Sequence, residues 1–290
     1  MSIRIGISGW RYPPWRKVFY PKGLIQKNEL HFASRQVNSI EINGSFYATQ
    51  TPKSYKHWHD ETPDDFVFSV KGPQYITHIR RLKDIHMPLA NFYASGVLHL
   101  QKKLGPMLWQ FPPNFPFHED RLEDFFKLLP HDMKSAVKLA QQADRLEPDF
   151  PELAAESNQK LRHSIEIRNH SFENPFFIEL LRKYDVALVF ADTAGRWPYL
   201  EDVTSDFIYL RLHGDEELYA SGYGDAMLKW WAERVQAWHQ GKTPQNSFAL
   251  LDETPEPKPR DVFVYFDNDI KVHAPFDAQT LMKILKLKKD

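Results

Sequence analysis

The sequence predicts an α/β protein of the TIM-type (β/α)8 barrel class. Eight short apolar runs recur along the 290 residues, stretches with helical spacing lie between most of them, and one more such stretch follows the last run. Strands that alternate with helices indicate βαβ units and a parallel sheet. Eight such units ending in a helix are typical of a closed barrel, so we expect residues 1–290 to form a single TIM-barrel domain.

Each predicted strand is an apolar run followed by polar or aromatic loop residues. The runs lie at residues 3–8, 39–43, 66–72, 107–111, 164–168, 187–192, 207–214 and 262–269. Helical spacing is found in KNELHFASRQ, HEDRLEDFFKLL, NPFFIELLRKY, DAMLKWWAERVQAWH and AQTLMKILKLKK. A doubly wound open sheet is the main alternative, but GWRYPPWRK after the first strand lacks the G-x-G-x-x-G pattern, and no G-x-x-x-x-G-K-[ST] motif occurs.

The barrel is expected to be irregular around its fourth to seventh strands. Residues 193–206, between the sixth and seventh strands, leave little room for a helix. Residues 130–163 are longer than one crossover needs, and KSAVKLAQQADRL within them could form an extra helix or contain another short strand. The proline-rich stretch DETPEPKPR at 252–260 is predicted to be a surface loop.

Composition narrows the class of protein. Hydrophobic residues make up 42% of the chain, and the formal net charge is −1, so nothing global favours a nucleic acid or an anionic membrane as a partner. The absence of cysteine removes disulfides, thiol nucleophiles and thiolate metal sites. The start MSIRIGISGW has too short an apolar run for a signal peptide, and no stretch approaches the roughly 20 apolar residues of a membrane span. We therefore expect a cytoplasmic protein; the oligomeric state is open.

Several predicted strands carry a charged or titratable face opposite an aliphatic one. Residues two apart on a strand share a face, and a barrel strand has no face in water. The polar set must then line the lumen, mostly at the carboxyl ends of the strands, where barrel enzymes build their active sites. Removing an ion from water costs several kcal/mol per charge, so such a set favours a functional pocket over a purely structural role. The residues concerned are Glu41, Lys71, Glu166, Arg168, Asp192, Arg211, His213 and Asn268.

The chain resembles the YecE-like family (UPF0759, domain of unknown function seventy-two). The resemblance rests on GISGWRYPPW, VNSIEINGSFYATQTPKSYKHW, FVFSVKGPQYITHIRRL, LGPMLWQFPPNF, IEIRNHSF, YLRLHG and VYFDNDIKVHAPFDAQTL, which occur in order along nearly the whole chain. Two departures are the long spacer at 130–163 and Phe172, where the family's motif usually has Trp. The resemblance implies a TIM-type barrel but supplies no activity; a distant link to sugar isomerases is an analogy only.

The residue types favour proton transfer on a small polar substrate, anionic or sugar-like. We expect Glu41, Lys71, Glu166 and His213 to be catalytic, with Lys71 also able in principle to form a Schiff base. Arg168 and Arg211 could bind a carboxylate or phosphate. The full set expected to bind substrate is Trp10, Asn43, Gln110, Arg168, Asp192, Arg211 and Asn268. His78 is expected to support the site without touching the ligand.

Two alternatives remain open at this point. In the first, Glu166, Asp192 and His213 bind a divalent cation (Mn²⁺, Mg²⁺ or Zn²⁺) in a metal-dependent sugar isomerase or epimerase. Against it, Arg168 and Arg211 would repel a cation. In the second, the barrel binds a small ligand without turning it over.

Overall fold

Eight parallel strands close into a barrel in the order of the chain, which confirms the predicted TIM-type fold. The computed structural model describes residues 1–147, 149, 158–251 and 256–287. The strands are β1 (Ile3–Ser8), β2 (Ser39–Ile42), β3 (Val67–Lys71), β4 (Leu104–Gln110), β5 (His163–Glu166), β6 (Val186–Asp192), β7 (Phe207–Leu212) and β8 (Asp261–Phe266).

Helices connect most of the strands. Those in the described ranges are α1 (Glu29–Ala33), α2 (Gly44–Tyr47), α3 (Pro52–Glu61), α4 (His86–Ala94), α5 (Glu119–Leu128), α6 (Met133–Ala140), α7 (Pro175–Lys183), α8 (Asp225–His239) and α9 (His273–Ile284). Three of them begin at a side-chain cap, which satisfies an otherwise unpaired amide of the first turn. The caps are Thr51 for α3, Asp132 for α6 and Asn174 for α7.

The chain forms two compact units, Met1–Glu41 with Glu173–Asp290, and Ile42–Phe172. In the first unit, β6 pairs with β7, β7 with β8, β8 with β1 and β1 with β2, all in parallel. In the second unit, β3 pairs with β4 and β4 with β5. The expectation of one domain over residues 1–290 stays a prediction.

The irregular regions lie where the sequence placed them. Residues 193–206 contain no helix, and the first half of 130–163 contains α6, so the extra segment begins as a helix. An isolated antiparallel bridge joins Asp132 to Lys160 in the same region. Part of the predicted loop at 252–260 lies outside the described residues; residues 256–259 are exposed.

One turn of π-helix follows β3, over Tyr75–Ile79. Such turns are rare in proteins overall, but those that occur are often found at functional sites. None of the helices in the described ranges has both the length and the apolar character that crossing a lipid bilayer requires.

Candidate active site

A buried carboxylate, Glu41, is the centre of the polar interior of the first unit. Its side chain has no exposed area. Ser8 Oγ donates to Glu41 Oε1 at 2.9 Å, and the Tyr209 hydroxyl donates to Oε2 at 2.6 Å. Arg211 adds bonds of 3.1 Å from Nε to Oε2 and 2.9 Å from Nη2 to Oε1. Because β8 and β1 lie between β7 and β2, these contacts cross the inner face of the sheet. The polar face of β7 therefore points inward, as its alternation predicted.

Arg211 also binds a second carboxylate, that of Asp267, immediately after β8. Arg211 Nη2 donates to Asp267 Oδ2 at 2.8 Å, and His213 Nδ1 lies 3.0 Å from the same oxygen. His213 Nε2 lies 3.4 Å from Arg211 Nη1. The side chains of Arg211 and His213 are fully buried, whereas 14% of the Asp267 side chain is exposed. Asp267 is thus the member of this network that reaches the surface of the unit.

Asp269 and Tyr12 lie beside the network. Burial first, and then the negative charge of Asp267, raise the pKa of the Asp269 carboxyl to about 6, while the neighbouring Tyr12 opposes the shift. Burial also raises the pKa of Tyr12, with the charge of Asp269 as the next cause, and the protonated Tyr12 hydroxyl donates to the main-chain oxygen of Ser8. Trp15 Nε1 donates to the main-chain oxygen of Asp269 at 3.2 Å. A carboxyl that titrates close to neutral pH is thereby held in a fixed place.

Asp192 lies on the other face of the sheet from Arg211. It shares its side of β6 with Phe190, whose ring packs on Trp238 of α8 with 5.1 Å between centroids. The Tyr223 hydroxyl donates to Asp192 Oδ2 at 2.8 Å, and the amide of Ala194 donates to Oδ1 at 3.3 Å. Asp192 therefore anchors a loop, and the structure does not bring it into the Glu41 network.

Asn268 and Trp10 are both buried. Asn268 Nδ2 donates to the main-chain oxygen of Ser221 at 2.9 Å and to Asp277 Oδ2 at 2.8 Å, so this amide ties the loop after β7 to α9. Trp10, in the loop after β1, accepts a hydrogen bond at its main-chain oxygen from the Tyr20 hydroxyl. Both residues shape the loops around the site rather than its charged centre.

In the second unit, a buried ion pair ends β5. Arg168 Nε and Nη2 each lie 2.8 Å from Glu166 Oε1; the Glu166 side chain has no exposed area and that of Arg168 has 11%. Gln110, the last residue of β4, is in register with Glu166, so the two side chains share a face. The structure brings Glu166, Arg168 and Gln110 together at the ends of β4 and β5.

Lys71 and His78 both lie against the ring of Phe46 in the second unit. Lys71 Nζ lies 4.2 Å above the ring of Phe46, a cation–π contact, and the His78 ring meets the same ring edge-on at 5.0 Å. Burial first, and then the charges of Lys71 and Arg168, lower the pKa of His78 to about 4. The imidazole of His78 is therefore neutral at physiological pH.

Two buried amide oxygens in the second unit have no hydrogen-bond partner among the described residues. They are Gln110 Oε1 and Asn43 Oδ1. An unsatisfied buried polar group costs about 1–3 kcal/mol, so such a pair at strand ends indicates places where a ligand could supply the missing hydrogen bonds.

A divalent cation does not fit the residues predicted to bind it. Across the described ranges, no three His, Asp or Glu side chains are grouped as a metal site. Of the predicted ligands, Asp192 is engaged by Tyr223 and Ala194. His213 lies between Arg211 and Asp267, so a guanidinium already stands at its Nε2 side.

The family of the chain follows from its similarity to known sequences. The model of the family described as "Protein of unknown function DUF72" matches residues 4–290. The chain belongs to the DUF72 family. The UPF0759 protein YecE of Escherichia coli K12 is 24% identical to this DUF72 protein over 246 residues, which cover 83% of this chain and 84% of YecE. The UPF0759 protein YunF of Bacillus subtilis 168 is 33% identical over 119 residues, 39% of this chain and 41% of YunF.

Solved structures of the family have the same fold. A DUF72 protein from Thermotoga maritima MSB8 superposes with a TM-score of 0.73 at 23% identity, covering 99% of this chain and 100% of that one. A second, from Enterococcus faecalis V583, gives a TM-score of 0.70 at 16% identity, covering 99% and 97%. At these identities the likeness concerns the fold alone.

The sequence reasoning left three important residues out of the predicted site, namely Tyr12, Asp267 and Asp269. Asp267 could have been found, because it continues the alternation of Tyr265 and lies one position before Asn268, which was selected. Asp269 continues the same alternation one step beyond Asp267, whereas Tyr12 leaves no such signal, since its place beside Asp269 depends on how two loops fold.

Proposed function

We propose that this DUF72 protein is an enzyme that transfers protons on a small polar substrate, anionic or sugar-like, at the carboxyl ends of the strands. The observation that carries the proposal is the buried network in which Glu41, Arg211 and His213 hold Asp267, the one member with exposed area. Burying these ionisable groups is costly for stability alone. A catalytic site that needs a carboxylate held in one orientation would explain why these groups are buried despite the cost in stability.

Asp269 is the best candidate for the group that gives and takes the proton. General acid–base catalysis works best when the pKa of the group lies near the operating pH, and burial with a neighbouring carboxylate raises the pKa of Asp269 to about 6. Asp267, beside it, accepts a hydrogen bond from the Arg211 guanidinium. Two neighbouring carboxyl groups in different environments can therefore divide the roles of base and acid.

Three residues have assigned roles that differ from the expected ones. Glu41 accepts hydrogen bonds from Ser8, Tyr209 and Arg211, so it positions Arg211 instead of meeting substrate. Arg211 donates from Nε and Nη2 to the carboxylates of Glu41 and Asp267, so it positions these groups and does not bind an anionic substrate. His213 orients Asp267 from a fully buried position.

Taken by itself, the second unit carries polar groups that suit a ligand with an anionic group and hydroxyls. Lys71 and Arg168 provide positive charge beside the neutral imidazole of His78. The unpartnered oxygens of Gln110 and Asn43 match hydroxyl donors, which sugars, sugar phosphates and hydroxy acids carry.

Exchange of carbon-bound hydrogen in D₂O tests the proposal without knowledge of the product. The protein is incubated with a panel of aldoses, ketoses, sugar phosphates and hydroxy acids, and proton NMR follows the loss of C–H signals. We expect exchange or conversion with at least one member, and a loss of at least about 100-fold in Asp269→Asn or Asp267→Asn. The matched control is Glu217→Gln, whose side chain is 66% exposed and pairs with Lys271; it should leave the rate unchanged.

A non-catalytic ligand-binding barrel is the second candidate, favoured by the unpartnered Gln110 and Asn43 oxygens. It predicts a different outcome of the same experiment. Saturable binding of a panel member, with no hydrogen exchange and no product, would replace the enzyme by a binding protein. Exchange that survives unchanged in both aspartate variants would refute the assigned roles.

A further inference from the structure

The second unit contains a cavity of about 650 Å³ that the proposed function does not use. We call it the side cavity. It lies among α2, α3, α4 and the π-helical turn, and its buried floor consists of Ser45, Tyr55, Ile76, Phe92 and Ser95. Small-molecule sites in proteins commonly have about 300–1,000 Å³, so the volume suits a compact ligand.

The floor contains a hydrogen-bond donor whose proton has no acceptor. The Tyr55 side chain is completely buried, and its hydroxyl has no hydrogen-bond partner among the described residues. Burial raises the pKa of Tyr55, so the hydroxyl keeps its proton. Ser95 Oγ donates its own proton to the main-chain oxygen of Phe92 at 2.7 Å and Ser45 Oγ donates to that of Lys71 at 2.6 Å, and neither serine oxygen stands in hydrogen-bonding geometry to the Tyr55 hydroxyl.

The walls and the rim define the rest of the ligand. Met87, Pro88 and Pro73 line the walls, and together with the rings of Tyr55 and Phe92 they offer apolar and aromatic surface. Charges of both signs stand at the rim; among them, Arg80 pairs with Asp84 at 2.9 Å. The apolar part of a ligand therefore fits inside the side cavity. A ligand with a net charge gains little binding energy at the rim, because rim charges of both signs are present there.

We propose that the side cavity is a second small-molecule site, which takes a compact aromatic molecule with a carbonyl-type acceptor at its buried end. The ring packs against Phe92 and the wall residues, and the acceptor receives the Tyr55 hydrogen bond. This site stands on residues other than Asp267 and Asp269, so it does not depend on the proposed catalysis.

Fluorine NMR with two probes tests the site in the full chain. The first probe is 4-fluoroacetophenone, and the second is 1-ethyl-4-fluorobenzene, which has a similar shape but no acceptor. We expect saturable binding of the first probe, about fivefold tighter than the second, because a single hydrogen bond in a buried site contributes about 1 kcal/mol. In Tyr55→Phe this preference should disappear. The same variant should unfold at a higher temperature than the parent without ligand, because it removes an unsatisfied buried hydroxyl.

Two variants of α4 localise the binding. Met87→Trp fills the cavity and should abolish binding of both probes. His86→Trp is the control, because His86 is an exposed neighbour on the same helix and does not line the cavity. Binding retained in Met87→Trp, equal affinity for the two probes, or no saturable binding up to about 5 mM would each overturn the proposal. A lower unfolding temperature of Tyr55→Phe would also overturn it, since it would mean that the hydroxyl already has a partner.

Discussion

Replacing Arg211 by Met should destabilise the protein severely. The Arg211 side chain is fully buried and donates two hydrogen bonds to the fully buried Glu41 and one to Asp267. Its removal leaves the Glu41 charge without a counter-ion in the interior, where water cannot replace the lost donor. Breaking a buried ion pair by removing one partner costs about 3–5 kcal/mol, and Glu41 keeps the bonds from Ser8 and Tyr209, so we expect about 4 kcal/mol.

The double variant Arg211→Met with Glu41→Gln separates this reason from simple loss of packing. Gln has almost the same shape as Glu but no charge, so the double variant should recover about 2 kcal/mol relative to the sum of the single variants. Urea unfolding followed by tryptophan fluorescence measures all the variants. Lys271→Met is the control, because Lys271 forms an exposed pair with Glu217 and should change stability by less than about 0.5 kcal/mol.

Two results would refute this reasoning. One is a cost for Arg211→Met close to that of Lys271→Met, which would mean that the Glu41 charge is solvated after all. The other is strict additivity of the two substitutions, which would mean that Arg211 contributes through its volume alone.

Three further outcomes follow from other sites. Burial raises the pKa of Asp269 to about 6, so the contribution of this residue to stability is fully present below about pH 4 and is lost as the pH rises through 6. The variant Asp269→Asn should therefore be more stable than the parent by about 1 kcal/mol at pH 7.5 but not at pH 4, as measured by urea unfolding. The His78 imidazole, with its pKa lowered to about 4, should stay neutral in NMR titration down to that pH, and Lys71→Met should raise its pKa; an unchanged value would exclude Lys71 as a cause. Gly6→Ala would place a Cβ 2.0 Å from a main-chain oxygen of β2 and should cost about 3 kcal/mol or more in thermal unfolding, whereas Gly224→Ala meets nothing within 4 Å and should be neutral.

The barrel could be predicted because its strands carry a strong local signal. All eight runs became strands, and β1 has the predicted bounds. The largest error at a strand start was at β4, which begins at Leu104 instead of residue 107. The strand includes Gly105 and Pro106 near its beginning, where proline is tolerated because its missing amide is not needed. Helix α9 begins at His273, ahead of the predicted 278, and includes Pro275 in its first turn, where proline is tolerated for the same reason.

The site was harder to predict than the fold, because the alternation along a strand shows which face a side chain lies on but not which other side chain it binds. It correctly placed Glu41 and Arg211 on inner faces, yet it could not tell that they would bind each other. For Asp192 the alternation itself was informative: it lies on the side of Phe190, which packs on α8. The pairing of Tyr12 with Asp269 joins two loops that are distant in sequence, and no spacing rule connects them.

The link between β6 and β7 has no helix, and its consequences extend to the loop after α8. Arg234 of α8 donates to Glu201 in this link at 2.9 Å, and Glu201 and Asp202 accept from the amides of Phe248 and Leu250 at 3.1 and 2.8 Å. Carboxylates thus attach the loop after α8 to this link. Because Arg234, Glu201 and Asp202 are buried, their bonds are not readily exchanged for water, so the loop stays attached and we expect limited proteolysis of this side to begin at the exposed Phe248, with β6 and β7 left intact.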